Sequence, residues 1–274
     1  MYDTVLRLDM PTDTRIVGFA DDIAIVTVAK DIQQAEENTN AAVFRILEWM
    51  EANSLSIAAH KTEAVLISSR KKVETARIEV AGCSITSKPA IKYLEVMMDH
   101  RLTFKAHLQY AANKAGKATS AITRLMANVG GPKQRSRWLI STVVRSIILY
   151  AGAIWAPAIS SPTYSRNFMS SYRTCALRTV CAFRTVLEDA AFVLSDMAPL
   201  DLLANEARNR DPPPVRRETT LTNWQRIGRD SNHGSWTRRL LPDIRQWLNR
   251  KHGQTDFYLT QLLTGHGCFK SYLQ

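Results

Sequence analysis

Cysteine is scarce and scattered: Cys83, Cys175, Cys181 and Cys268 are the four in 274 residues, and no two form a CxxC pair. That spacing excludes a zinc signature and a disulfide framework, leaving reduced, partly buried thiols. Long apolar runs are missing as well. The longest nearly continuous one, residues 147–159, is too short to span a bilayer and holds a proline. The opening MYDTVLRLD carries charges where a secretory signal needs an apolar stretch. The expectation is an intracellular, soluble chain of the nucleus or cytoplasm. Internal repeats and low-complexity tracts are also lacking. The most informative shortage is of acid. Residues 100–187 hold 13 Lys/Arg and no Asp or Glu, whereas residues 1–99 carry a net −4 and residues 188–274 a net +2, within +11 overall. A solvated surface normally interleaves both signs. Such an uncompensated stretch favours a polyanionic partner, nucleic acid first.

What is present reads as α+β. In residues 15–29, RIVGFADDIAIVTVA, two β-rich runs (16–20 and 23–28) flank Asp21-Asp22. That is a hairpin signal with acids at the tip. A helix follows over about 31–53, because Ile32, Ala35, Thr39, Ala42, Val43, Ile46, Leu47 and Met50 recur at threes and fours. Asp31 is placed to cap it. Residues 62–68, 77–85 and 91–98 read as three further strands, which makes the first hundred residues an antiparallel sheet with one packed helix.

After Arg101 the period is helical throughout. Phe104, Leu108, Ala111, Ala115, Ala118, Ile122, Leu125 and Val129 mark a first helix, stopped by Gly130-Gly131. A second buries Leu139, Ile140, Val143, Val144, Ile147 and Ile148. A third, about 163–184, turns Met169, Tyr172, Ala176, Val180 and Phe183 inward. Lys114, Lys117 and Arg124 share one stripe, and Arg166, Arg173 and Arg184 another. Pro212-Pro213-Pro214 reads as a stiff linker, and the residues beyond it as short helices bearing Trp224, Trp236 and Trp247. Three domains result: 1–99, 100–187 and 188–274.

Two adjacent carboxylates between buried strands are costly unless a cation neutralises them. Mg²⁺ does so with one or two protein carboxylates plus substrate phosphates, and two such ions can serve an in-line phosphoryl transfer. Asp-Asp is also ordinary turn chemistry. Lone His233, His252 and His266 read as surface or satisfied residues, and the three tryptophans as core before base-stacking platforms.

VGFADDIAIV resembles the catalytic hairpin of reverse transcriptases, an aromatic followed by x-Asp-Asp. LSIAAHKTEAVLIS (55–68) resembles the next palm block, in which a lysine precedes a strand. IKYLEVMMD (91–99) resembles the primer-grip hairpin. ANVGGPKQRSRWLISTVVRSIILYAGAIWAPAI (127–159) resembles the thumb of insect non-LTR elements, and residues 172–208 and 257–273 continue the match. The ordered set points to a LINE-type non-LTR retrotransposon reverse transcriptase, an RNA-directed DNA polymerase, over nearly the whole chain. The resemblance implies a partial polymerase palm, an all-α thumb bundle and a helical C-terminal extension. It implies that Asp21 and Asp22 are a catalytic, Mg²⁺-binding pair and that Lys61 donates a proton to departing pyrophosphate, although an exposed edge lysine fits that position equally. Phe19 and Ala20 would support the primer end, with Tyr93 and Leu94 on the primer-grip strand. Lys114, Lys117, Arg124, Lys133, Arg135 and Arg137 would lie along an RNA template and DNA primer, with deoxynucleoside triphosphates as substrate.

Departures matter too. The family has glycine after Tyr-Leu in the primer grip, where this chain has Glu95. Fingers, the palm strand with the other metal-binding aspartate, and a terminal Cys/His cluster all belong outside the sequence in hand. Asp3, Asp9 and Asp13 stand too close to the hairpin to replace that aspartate. The expectation is a fragment inactive by itself. A non-catalytic basic nucleic-acid-binding module or a retroelement relic are the other readings.

Overall fold

The computed structural model describes residues 2–71, 74–231, 233–251 and 253–267. Cys268 and His252 lie outside the described residues. The chain divides into two compact units, Met1–Thr103 and Phe104–Gln274. The first is α+β and the second all helical.

The first unit opens with a 3₁₀ turn at Tyr2–Arg7. It then forms β1 (Thr14–Phe19), β2 (Asp22–Thr27), α1 (Ile32–Ala52), β3 (Arg77–Val80), β4 (Cys83–Thr86), β5 (Ala90–Tyr93) and β6 (Val96–Asp99). The strands pair as three separate antiparallel ribbons, β1-β2, β3-β4 and β5-β6, rather than as one sheet. Residues 62–68 form no strand. Backbone bonds to that segment are isolated ones, such as Ser68 N–H to His100 O at 3.0 Å and Lys88 N–H to Ala64 O at 2.8 Å. The alternating apolar residues there satisfy a strand pattern, but no neighbouring strand offers a ladder, and pattern alone cannot supply one.

α1 organises this unit. The Asp31 carboxylate accepts from Gln34 N–H at 2.9 Å and caps it, and Ala42, Val43 and Ile46 form its buried stripe. Polar residues of the same helix serve strand edges. Arg77 N–H donates to Glu36 Oε1 at 2.7 Å and Glu79 N–H to Asn40 Oδ1 at 2.9 Å. These side chains satisfy β3 where a further strand would otherwise pair. Thr39 Oγ1 bonds Thr27 Oγ1 at 2.9 Å, which ties the helix to β2.

The helical unit contains α2 (Lys105–Thr123), α3 (Gln134–Leu149), α4 (Gly152–Trp155), α5 (Pro162–Thr179), α6 (Glu188–Ser195), α7 (Leu200–Arg208), α8 (Pro213–Asp230), α9 (Ser235–Leu240), α10 (Ile244–Leu248) and α11 (Phe257–Thr264). Residues beyond 187 share this compact unit with those before it. Pro212-Pro213-Pro214 is not a linker. Pro212 is the N-cap of α8 and prolines fill its first positions, where a missing N–H costs nothing and φ is already helical.

The core gathers α2, α3, α5, α6 and α7. Trp155 is fully buried, edge-on to Phe168 at 5.4 Å, and its indole N–H donates to Tyr150 O at 2.7 Å. Tyr172 packs on Phe192 at 5.4 Å, and its hydroxyl donates to Ala198 O at 2.8 Å. Burial pushes that phenol up from its ordinary value of 10.0. The inward face of α3 differs from its apolar pattern: Gln134, Arg137, Ser141, Val144 and Ile148 are buried, while Leu139 and Val143 are exposed. On α5, Phe168 is buried, whereas Phe183 lies beyond the helix and is exposed.

The C-terminal segment returns to close this core. Thr255 N–H donates to Gln134 Oε1 at 2.6 Å, and Gln134 Nε2 donates to Leu194 O at 3.0 Å. Thr260 Oγ1 donates to Val180 O at 2.5 Å, just past the end of α5. No single helix among the described residues is long and apolar enough to cross a membrane.

His107 lies in the same core, its ring centroid 6.1 Å from that of Trp155. Burial holds its pKa below the ordinary 6.5. In the unfolded chain the imidazole regains its ordinary affinity for protons, so acid favours unfolding. Stability is fully present above about pH 6.5 and falls as pH drops through and below that value. His107→Gln, uncharged throughout, is expected to lose less stability than the parent between pH 7.5 and 5.5. Urea midpoints at the two pH values measure this, and equal losses would refute it.

Candidate functional site

The Asp pair sits where β1 turns into β2. Phe19 pairs with Asp22, which leaves Ala20 and Asp21 as a two-residue loop. Ala20 has φ 53°, a left-handed conformation unusual for a residue with a Cβ. β-Branched residues on both strands (Ile16, Val17, Ile23, Ile25 and Val26) hold the ribbon against that strain. Cross-strand partners share a face. Asp22 therefore stands beside Phe19, with Val17 opposite Ala24 and Arg15 opposite Val26 further along. This face is open: Phe19 is 63% exposed and Val17 and Val26 about half. The other face, with Ile16 and Ile25, is half-buried on the side of α1.

Asp21 and Asp22 are exposed. Two neighbouring exposed carboxylates fit one side of a Mg²⁺ shell, which also draws on phosphate and water oxygens. They do not make a complete set. Among the described residues no group of three or more His, Cys, Asp or Glu is placed to hold a metal ion. Lys61 ends a 3₁₀ turn, Ala59–Lys61, is exposed, and forms no ion pair with Asp21 among the described residues. It precedes the extended segment 62–68 and not a strand.

In the third ribbon, Tyr93 is the last residue of β5, and Leu94 lies in the turn and not on the strand. Leu94 (φ 45°) and Glu95 (φ 63°) are both left-handed, as a type I′ turn requires. Glycine meets the second position without penalty, and Glu95 stands there with a half-exposed ion pair to Lys92 Nζ at 2.8 Å. Left-handed strain of about 1–2 kcal/mol exceeds the 0–1 kcal/mol of such a pair, even after the entropic cost of glycine. Glu95→Gly is expected to raise stability by about 0.5 kcal/mol in chemical denaturation. A loss of stability would mean that the ion pair outweighs the turn.

The basic residues of the helical unit divide into two groups. Lys114, Lys117, Lys133, Arg124 and Arg135 are exposed, with Lys114 Nζ 5.8 Å above the Tyr110 ring. Arg137 is a correction: it is 2% exposed, and its guanidinium donates to Pro132 O (2.6 Å), Arg178 O (3.1 Å) and Ala127 O. It holds backbone and presents no charge to a ligand. Arg173 is similarly occupied, donating to Arg184 O at 3.0 Å and Val186 O at 2.7 Å. Of the stripe containing Arg173, only Arg166 and Arg184 are exposed.

A groove of about 770 Å³ opens between α2 and α5, with Lys117 and Arg124 on its rim. Charge reading identified those two cations but missed Asn113, Ser120, Asn167, Ser170 and Ser171, which line it with them. The signal was available: residues 113, 117, 120 and 124 recur at four, three and four, one face of a helix.

Among known proteins, the chain is 24% identical to the Pol polyprotein of the type-1 retrotransposable element R1 of Nasonia vitripennis, over 94% of this chain and 86% of that protein. It is 23% identical to the R1 Pol polyprotein of Bradysia coprophila, again over 94% of this chain but 28% of the relative. It is 29% identical to the RNA-directed DNA polymerase of the mobile element jockey of Drosophila melanogaster, over 38% of this chain and 12% of the relative. No family model matches the chain, and no solved structure matches it.

Proposed function

We infer, for a chain related to the Pol proteins of non-LTR retrotransposons, that it is the part of an RNA-directed DNA polymerase running from the catalytic hairpin through the thumb. The observation that carries this reading is the Asp21-Asp22 pair at a two-residue β turn, with Phe19 beside Asp22 on an open face. On this reading residues 1–103 are palm and the basic helices are thumb.

Asp21 and Asp22 would hold Mg²⁺, which when bound supplies charge neutralisation for nucleotidyl transfer. The exposed Phe19 ring offers an apolar support for a primer terminus. The two-residue turn sets the backbone of Asp21 and Asp22 next to that ring. Lys61, exposed at the end of its 3₁₀ turn, stays an acid candidate for the leaving pyrophosphate. RNA template, DNA primer and deoxynucleoside triphosphates are the proposed partners.

Primer extension tests the reading. The chain alone is expected to synthesise nothing, because its described residues supply two neighbouring carboxylates and no third. Joined to the region that precedes the matched part of the Bradysia relative, it is expected to extend a primer in an Asp21-dependent way. A relative active with its own C-terminal part but inactive with this one would sink the proposal.

A further inference from the structure

We propose that two copies of this chain associate by laying α1 of one antiparallel along α3 of the other. The inference goes beyond the polymerase reading and does not rest on it.

The outward face of each helix follows from what is buried. Ala42, Val43 and Ile46 turn α1 inward, so Gln34, Glu37, Ala41, Phe44, Glu48 and Glu51 share its opposite side. They recur at threes and fours, the spacing of a seam along which helices pair. Phe44, inside that seam, is 61% exposed. Gln134, Arg137, Ser141, Val144 and Ile148 turn α3 inward, which leaves Ser136, Leu139, Val143, Ser146 and Tyr150 outward at the same spacing. Leu139 is 65% exposed and Val143 52%. Single exposed apolar residues are ordinary, but apolar residues centred on a helical seam are what a partner helix covers.

Each helix also carries the wrong charge for its own dipole at one end. The C-terminal end of a helix is negative, and α1 places Glu48 and Glu51 toward it with no base in the last turn. The N-terminal end is positive. There α3 has Lys133 at its N-cap, with no side-chain cap bond, then Arg135, and no acid in the first turn. All four side chains are exposed, and among the described residues none of them forms an ion pair. Other charges on the two helices are occupied. Arg45, the one cation of α1, lies 3.6 Å from Asp9, and Glu36 accepts from Arg77 N–H. Arg137 is buried, and Arg145 lies over the Trp138 ring at 5.2 Å.

The register follows from these charges. Antiparallel pairing sets Glu51 beside Lys133 and Glu48 beside Arg135, and brings Phe44 and Ala41 onto Leu139 and Val143. Glu37 then meets Ser146, whose hydroxyl can donate to it. Residues 37–51 and 133–147 each advance about 21 Å along their axes, so the faces match end to end. Parallel pairing would instead bring like-signed helix ends together and leave Glu48 and Glu51 without cations. Two helix faces make a small interface, so the association is weak. Because each chain uses two different faces, it can close into rings or extend as filaments.

Sedimentation velocity of the full chain, free of nucleic acid and across a concentration series, tests this. The parent is expected to associate as concentration rises, and less so as salt screens the ion pairs. Glu48→Lys with Glu51→Lys sets like charges against Lys133 and Arg135. Lys133→Glu with Arg135→Glu sets like charges against Glu48 and Glu51. Each pair of reversals is expected to weaken association at least about tenfold. Both suit the dipole of their own helix, so folding is preserved. An equimolar mixture of the two variants is expected to associate again, because every contact between unlike copies is then complementary. Glu74→Lys with Asp211→Lys makes the same change in net charge as the first reversal, at exposed positions off both faces, and is expected to associate as the parent does. A parent that stays monomeric, a reversal on either helix that associates like the parent, a mixture that remains monomeric, or a control that weakens association as much as the first reversal would overturn the proposal.

Discussion

Arg137→Met is expected to destabilise the helical unit by about 3–5 kcal/mol, the range seen when a buried charged network loses one member. Arg137 is the largest buried cation in the unit, and no Asp or Glu occurs between residues 100 and 187 to pair with it. Its charge is met by carbonyl oxygens. Pro132 O and Ala127 O come from the connection between α2 and α3, and Arg178 O from the last turn of α5. The final carbonyls of a helix lack partners within it and carry the negative end of its dipole. One planar guanidinium thus satisfies three backbone acceptors from two parts of the chain. Methionine keeps much of the volume and donates nothing; Arg178 O retains a long bond from Cys181 N–H at 3.4 Å, and each carbonyl left dry costs about 1–3 kcal/mol. Lysine, a single point of charge, should recover only part of the loss. Gly131 belongs to the same arrangement: a Cβ there would lie 2.5 Å from the guanidinium and closer still to Ala127 O. Chemical denaturation followed by far-ultraviolet circular dichroism reports on this unit, which holds ten of the eleven α-helices in the described residues. Arg135→Met, two residues earlier and exposed, should change stability by no more than about 0.5 kcal/mol. Equal effects of the two substitutions would show that the three carbonyl bonds contribute little.

Asp21→Asn, placed in the active fusion, is expected to lower the rate of template-directed synthesis by on the order of 10³-fold. Asparagine is nearly the same size and tolerates turns as aspartate does, so the ribbon should keep its form. Only the charge is lost, and with it the part of the metal shell that this residue would supply. Excess Mn²⁺ should recover little activity, because it has the same need for anionic oxygen. Circular dichroism matching the parent would assign the loss to chemistry and not to folding. Synthesis within about threefold of the parent would remove Asp21 from the metal site, whatever the sequence resemblance implies.

Local features were the legible ones. The α1 stripe and its Asp31 cap follow directly from residue spacing, and β1 and β2 from β-branched runs flanking a pair of turn-tolerant acids. Features that depend on distant segments were not. Residues 62–68 alternate like a strand, yet whether a strand forms depends on a partner. One sheet became three ribbons partly because Glu36 and Asn40 of α1 satisfy the edge of β3. Both read in sequence as surface polar residues. Arg137 looked like its neighbours Lys133 and Arg135 because charge type carries no information on burial; only the carbonyls around it reveal its role. The proline triplet was misread for a different reason. Proline both breaks helices and begins them, and which applies depends on the residues that follow.

The bond from Thr255 to Gln134 joins positions 121 residues apart. A chain leaving the ribosome can complete each N-terminal ribbon as soon as its own few residues have emerged, since every ribbon pairs only with its sequence neighbour. The helical unit has no such early finish. α3 and the end of α5 must wait, their acceptors in water, until residues 255 to 260 are made. Synthesis halted anywhere before residue 255 would release a chain whose front has assembled and whose bundle has not been sealed.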